Sequence, residues 1–136
     1  MSDFPAVLYV EDDPSSRRIM RLMLVGEMGL ENVTIFEDSA DFLARFQAIQ
    51  PQPNIILLDI HVKPFNGFEM LEMVRRIPAF RDTPVVALTA SVMNEEVQHL
   101  RDSGFQGVIA KPVDIDTFPS LLNRVLDGEM IWRIAE

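Results

Sequence analysis

At four places in this chain, side chains that can carry phosphoryl chemistry stand directly after short apolar runs. Glu11 and Asp12 follow Ala6-Val7-Leu8-Tyr9-Val10, and Asp59 follows Asn54-Ile55-Ile56-Leu57-Leu58. Thr89 follows Pro84-Val85-Val86-Ala87-Leu88, and Lys111 follows Gln106-Gly107-Val108-Ile109-Ala110. Three carboxylates brought into one crevice repel one another and need a cation. An all-oxygen donor set without His or Cys side chains suits Mg²⁺, or Mn²⁺, better than zinc. Lys111 would supply a fixed positive charge and Thr89 a hydroxyl donor. Metal, ammonium and hydroxyl together match the equatorial oxygens of a transferring phosphoryl group. A central carboxylate, Asp59, can then attack phosphorus in line and form an acyl phosphate. Ala90 leaves room for phosphoryl oxygens and offers its backbone N–H.

The elements that must position these groups are legible in the same pattern. Asn54 to Leu58 is too short for a buried helix. Its four large aliphatic residues read as a strand covered on both faces, as in a parallel sheet. Further strands are expected at Ala6–Val10, Val33–Phe36, Pro84–Leu88 and Gln106–Ala110. Helices alternate with them. The first is expected from Ser15 to about Met28, with Ile19, Leu22, Met23 and Val25 inward and Asp13 as N-cap before Pro14. The second is capped by Asp38 or Ser39 and carries Phe42, Leu43, Phe46 and Ile49. The third runs from Phe68 to about Arg76. The fourth runs from Val92 to about Ser103 with a thin stripe of Met93, Val97 and Leu100. The fifth begins near Asp114 or Asp116, with Pro119 tolerated in its first turn. Alternating strands and helices imply a parallel sheet with right-handed crossovers. The expected fold is a doubly wound α/β (βα)5 three-layer sandwich of the flavodoxin-like type, with strand order 2-1-3-4-5. In that order strands 1, 3, 4 and 5 are neighbours about 4.8 Å apart, so Glu11, Asp12, Asp59, Thr89 and Lys111 would line one crevice at the topological switch point.

Composition narrows the classes. The chain has 136 residues, enough for one domain with its own core. It has no cysteine, which removes disulfides, thiolate metal sites and a Cys nucleophile. No signal-peptide pattern or membrane-length apolar run is present, which fits a cytoplasmic protein without membrane contact. A formal charge of −9 argues against direct binding to nucleic acid or an anionic membrane.

The motifs resemble those of the receiver domain of two-component response regulators. Val7-Leu8-Tyr9-Val10-Glu11-Asp12-Asp13-Pro14 is similar to the family's first strand and acidic pair. Leu57-Leu58-Asp59-Ile60, with Asn66-Gly67-Phe68-Glu69 downstream, is similar to its phosphoacceptor region. Val85-Val86-Ala87-Leu88-Thr89-Ala90 and Ala110-Lys111-Pro112 are similar to its last two signatures. The likeness runs from about Ala6 to Leu126, giving a receiver domain over residues 1–127 and a C-terminal tail over 128–136. The resemblance implies that Asp59 is the phosphoacceptor and that Glu11 and Asp12 hold Mg²⁺, with the backbone carbonyl of His61 completing the protein ligands. It implies that Thr89, Ala90 and Lys111 contact the phosphoryl group and that the peptide before Pro112 is cis. The donor would be a histidine kinase or a histidine phosphotransfer protein. The output would be a changed contact with an effector protein through the fourth helix, fifth strand and fifth helix. Two departures stand out. The proline of the turn after the phosphoacceptor is shifted by one, to Pro64 in Val62-Lys63-Pro64. Val108 occupies the place of an aromatic residue, so a threonine-to-aromatic switch in its common form is excluded, and signalling is expected to rely on Thr89 and loop movement.

Two other classes are set against this reading. An aspartate-nucleophile phosphohydrolase of the haloacid dehalogenase type needs a second acid two residues after the nucleophile, where His61 stands. A receiver-like binding module that is never phosphorylated usually lacks the acids or the lysine, all of which are present. A flavin carrier is disfavoured because Glu11-Asp12-Asp13 would repel its phosphate. Asp13 reads as a cap rather than a ligand. His61 reads as a solvated turn residue, Lys63 and His99 as surface residues, and Ser91 as a neighbour of the pocket. The apolar tail Gly128-Glu129-Met130-Ile131-Trp132-Arg133-Ile134 is expected to fold back on the last helix or to meet a second chain in a homodimer, in preference to starting a linker.

Overall fold

The computed structural model describes residues 5–132. Five parallel strands form one sheet in the order β2-β1-β3-β4-β5. They are β1 (Val7–Val10), β2 (Val33–Phe36), β3 (Ile55–Asp59), β4 (Val85–Thr89) and β5 (Gly107–Ala110). The helices between them are α1 (Pro14–Arg21), α2 (Phe42–Gln47), α3 (Gly67–Arg75), α4 (Asn94–Ser103) and α5 (Phe118–Leu126). This is the doubly wound architecture expected from the strand–helix alternation.

Side-chain alternation along the strands sorts the core into two layers. Leu8, Val10, Ile56, Leu58, Val85, Ala87 and Val108 face α2, α3 and α4, where Phe42, Phe46, Met70, Leu71, Val74 and Leu100 cover them. Val7, Tyr9, Ile55, Leu57, Val86, Leu88 and Ile109 face α1 and α5, against Met20, Met23, Leu24, Phe118, Leu122 and Val125. Each fully buried aliphatic side chain contributes about 2 kcal/mol by leaving water. That double cover explains why β3 is apolar without alternation.

The first helix departs from the sequence expectation. After Arg21 the chain widens into a π-helical segment, Leu22–Glu27, where the Met28 N–H donates to the Met23 carbonyl at 2.9 Å. The inward residues are Met20, Met23 and Leu24, whereas Ile19 (41%), Leu22 (62%) and Val25 (43%) are exposed. Residues 19–25 are apolar nearly all round, so periodicity alone offers two stripes one residue apart. Packing on β1 selects one of them.

Other boundaries also move. Asp38 and Ser39 do not cap α2. Asp41, in the left-handed region at φ 50°, stands before it, and Leu43 is exposed. Helix α4 starts at Asn94, and Met93 is exposed rather than part of an inward stripe. Helix α5 starts only at Phe118, because Asp114 closes a turn first: its carboxylate accepts the Asp116 N–H and its carbonyl the Phe118 N–H.

The described part of the tail, residues 128–132, folds back onto the sheet edge as well as the last helix; Arg133 and Ile134 lie outside the described residues. Ile131 bridges Gly107 in parallel, its N–H donating to the Gln106 carbonyl and its carbonyl accepting the Val108 N–H at 2.7 Å. Its side chain joins the layer that holds Phe118, Leu122 and Val125. Trp132 lies with the Arg101 guanidinium 4.8 Å from its ring. The start of the outer edge of β5 is thereby paired. A Cβ on Gly107 would stand 2.7 Å from the Ile131 carbonyl oxygen, so only glycine admits this approach. Replacing Gly107 with Ala is expected to cost about 1–2 kcal/mol through the lost bridge and exposed Ile131. Trp132, the chain's single tryptophan, reports the release as a fluorescence change. An unchanged emission spectrum and melting curve would contradict this account.

Candidate functional site at the carboxyl edge of the sheet

The strand register sets the site. Val10 pairs with Leu58 on β3, so Glu11 follows in the row of Asp59. Asp59 pairs with Leu88, and Thr89 pairs with Ala110, so Lys111 extends one residue beyond. By strand alternation Tyr9, Glu11, Asp59 and Lys111 belong to the face that carries α1 and α5, and Thr89 to the other. Glu11, Asp12 and Asp59 each offer a carboxylate oxygen within 4.8 Å of the others. All five residues singled out by type and spacing thus meet at one edge.

Burial makes this an uncommon cluster. Glu11 is 0% exposed, Asp59 4% and Thr89 2%, while Asp12 is open to solvent. Buried charges are costly unless paired. Lys111 supplies the pairing: its Nζ lies 2.8 Å from Glu11 Oε1 and 3.7 Å from Asp59 Oδ2. Burial alone would lower the Lys111 pKa. The hydrogen bond to Glu11 and the charges of Asp59, Glu11 and Asp12 outweigh it, and the net direction is upward. Lys111 is therefore fully charged at neutral pH. The neighbouring strand β4 holds its backbone in place, since its N–H donates to the Thr89 carbonyl at 2.9 Å. The Lys111–Pro112 peptide is cis, as the family resemblance implies.

The loop after β3 is anchored on both sides of its exposed residues. Ile60 and Val62 are buried, whereas His61 and Lys63 point outward. The His61 N–H approaches Asp59 Oδ1 at 3.4 Å. Asn66 caps α3 by accepting the Glu69 N–H, and the Glu69 carboxylate accepts the Asn66 N–H in return. Gly67 lies so close to the end of β3 that a Cβ there would meet Ile60 Cδ1 at 2.6 Å. Ala90 is exposed at the mouth of the site, and the Ser91 N–H donates to Thr89 Oγ1 at 3.1 Å. Asp13 is the N-cap of α1: its carboxylate accepts the Ser16 hydroxyl and N–H, and those bonds hold its pKa down.

Three further residues shape the site and were not singled out for it by sequence reasoning. Tyr9 donates its hydroxyl to Glu11 Oε1 at 3.0 Å. Burial, then the charge of Glu11, pushes its phenol pKa upward. Arg17 Nη1 donates to the Glu11 carbonyl at 3.0 Å, tying α1 to the end of β1. Ser39, fully buried, donates its hydroxyl to the Phe65 carbonyl at 2.6 Å and accepts the Phe65 N–H at 2.7 Å. The Ser39 N–H donates to the Lys63 carbonyl at 3.1 Å. This clamp fixes the loop with the shifted proline. Replacing Ser39 with Ala leaves two half-buried backbone groups of Phe65 without their side-chain partner, an expected loss of about 1–2 kcal/mol in urea denaturation. A change below about 0.5 kcal/mol would deny the clamp its role. Period-two alternation from Glu11 could have found Tyr9. No local signal marks Ser39, whose partner is 26 residues away.

The family model of the response regulator receiver domain matches residues 7–123, a span that includes every one of these strand ends. The chain belongs to that family. An uncharacterized 14.6 kDa protein of Leptolyngbya boryana is 32% identical over 108 residues, 79% of each chain. The signal transduction histidine-protein kinase BarA of Shigella flexneri is 28% identical over 125 residues; these span 92% of this chain but 13% of that kinase. Among solved structures, the Vibrio cholerae chemotaxis protein CheY4 superposes with a TM-score of 0.79 at 28% identity, over 90% of this chain and 98% of that one. This receiver domain is a signalling domain with an acidic pocket. No helix among its described residues is long and apolar enough to cross a membrane.

Proposed function

We propose that Asp59 accepts a phosphoryl group from a histidine kinase or a histidine phosphotransfer protein, in a Mg²⁺-dependent reaction, and that the resulting acyl phosphate changes partner binding. The observation that carries this reading is the buried Glu11–Lys111–Asp59 arrangement, with the ammonium 2.8 Å from one carboxylate and 3.7 Å from the other. A carboxylate oxygen of Asp59 forms the new bond to phosphorus while the bond from phosphorus to the donor imidazole nitrogen breaks, and the imidazole leaves with a proton. Lys111 compensates charge on the phosphoryl oxygens, and Thr89 and the Ala90 N–H donate to them. Asp12, Asp59 and the His61 carbonyl would hold Mg²⁺, or Mn²⁺, with Glu11 close behind; the oxygen donors within 4.8 Å fit such a hard cation. Bound there, the ion would neutralise charge on the phosphoryl oxygens and orient them for in-line attack. Beyond its own phosphorylation and slow dephosphorylation, no turnover is assigned to the domain.

Intact-mass measurement after treatment with acetyl phosphate and Mg²⁺ tests the reading. One added phosphoryl group on Asp59 supports it. An unlabelled chain favours a binding module that works without phosphorylation, and steady hydrolysis of phosphate esters favours a phosphohydrolase.

Output is assigned to an effector protein at the α4–β5–α5 face, in a cytoplasmic setting and without direct nucleic-acid contact; a homodimer through the C-terminal tail is a related outcome. Val108 is 0% exposed and sits in the α2–α4 core layer, so there is no aromatic side chain there to swing. Binding of beryllofluoride is expected to shift amide resonances from Thr89 to Ser91 and along α4. Unchanged resonances in α4 and β5 would argue against conformational output through that face.

A further inference from the structure

Tyr9 is invested in the site beyond what packing explains. Its ring is buried in the α1–α5 layer, and its hydroxyl reaches the same oxygen, Glu11 Oε1, that Lys111 Nζ holds. Among the described residues the other oxygen, Oε2, accepts the Asp13 N–H alone, at a longer 3.2 Å. Glu11 is therefore a fully buried carboxylate served by one ammonium, one phenol and one amide. Lys111 rests nearer to Glu11 than to Asp59, and a phosphoryl group on Asp59 would draw its ammonium away from Glu11. A buried carboxylate stripped of its ion-pair partner carries a large desolvation cost.

We infer that Tyr9 is a positioning residue for the phosphoryl reaction: its hydroxyl keeps Glu11 Oε1 hydrogen-bonded while Lys111 transfers from Glu11 to the phosphoryl oxygens. The i, i+2 placement on one strand makes this contact independent of loop movement, since both side chains leave the same face of β1. Without the hydroxyl, Glu11 depends on Lys111 alone at Oε1 and releases it less readily. The inference rests on the phosphoacceptor reading above and adds a residue that never touches the phosphoryl group.

The test compares labelling rates with acetyl phosphate and Mg²⁺ for wild type, Tyr9→Phe, Glu11→Asp and the double variant. Loss of one hydrogen bond to a charged group predicts labelling about tenfold slower for Tyr9→Phe. Aspartate at 11 is one methylene shorter and cannot hold both partners, so in that background Tyr9→Phe is expected to change the rate less than about twofold. Equal rates for wild type and Tyr9→Phe overturn the inference, as does the same fold loss in both backgrounds, which would mean ring packing alone. A second readout needs no metal or phosphoryl donor. The Lys111 side-chain ammonium resonance of the metal-free protein is expected to move on Tyr9→Phe, and an unmoved resonance overturns the arrangement. A wild type that takes no label overturns the underlying reading instead, while a labelled wild type with an unaffected Tyr9→Phe overturns this inference alone.

Discussion

Asp59→Asn is expected to abolish phosphoryl labelling while raising the stability of the metal-free protein. An amide is not a nucleophile toward phosphorus, so no acyl phosphate forms. The stability gain has a different origin. Asp59 is almost fully buried beside Glu11 and Asp12, with one ammonium at 3.7 Å as its counter-charge. Two acidic neighbours against one lysine leave net repulsion, and its removal is expected to add about 1–2 kcal/mol. Excess Mg²⁺ should narrow the gap, because the wild type gains more from binding the ion. Parallel urea melts with and without Mg²⁺ measure both effects. A variant less stable than wild type in the metal-free state would mean that Asp59 is structural rather than poised.

Lys111→Ala is expected to act in the opposite direction on stability and in the same direction on chemistry. Labelling should fall by about a hundredfold, because the positive charge proposed to meet the phosphoryl oxygens is gone. Stability should fall by about 2–3 kcal/mol at neutral pH, discounted from a fully buried pair because the lysine side chain retains 21% exposure. The pH dependence follows from the upward direction of the Lys111 pKa. A raised folded-state value gives stability that is fully present below the unfolded lysine value, about 10.4, and is lost as pH rises through the folded one. The difference between wild type and Lys111→Ala should therefore hold through neutral pH and shrink at strongly alkaline pH. A constant difference up to that range would show that the loss comes from packing of the aliphatic stem.

Much of the site is written in residue types and in strand alternation. A run such as Ile55-Ile56-Leu57-Leu58, short and bounded by Pro53, reads best as a doubly covered strand, and whatever follows it leaves the core at the sheet edge. The same argument places Glu11, Thr89 and Lys111. Helix faces were less legible. Residues 19–25 offer two apolar stripes, and a π-helical widening changes the period on which any choice between them depends.

By itself the sequence determined the α/β alternation and which side chains end each strand, because these follow from local period and residue chemistry; the strand order that gathers them at one edge comes from analogy with the flavodoxin-like type and is borne out by the sheet. Only the tertiary structure decided which acid holds Lys111, that Tyr9 shares the same oxygen, that Ser39 clamps the loop, and that Ile131 pairs with the start of β5. Those contacts join groups up to 100 residues apart. Their partners are chosen by the register between strands and the close packing of loops, which no local pattern encodes.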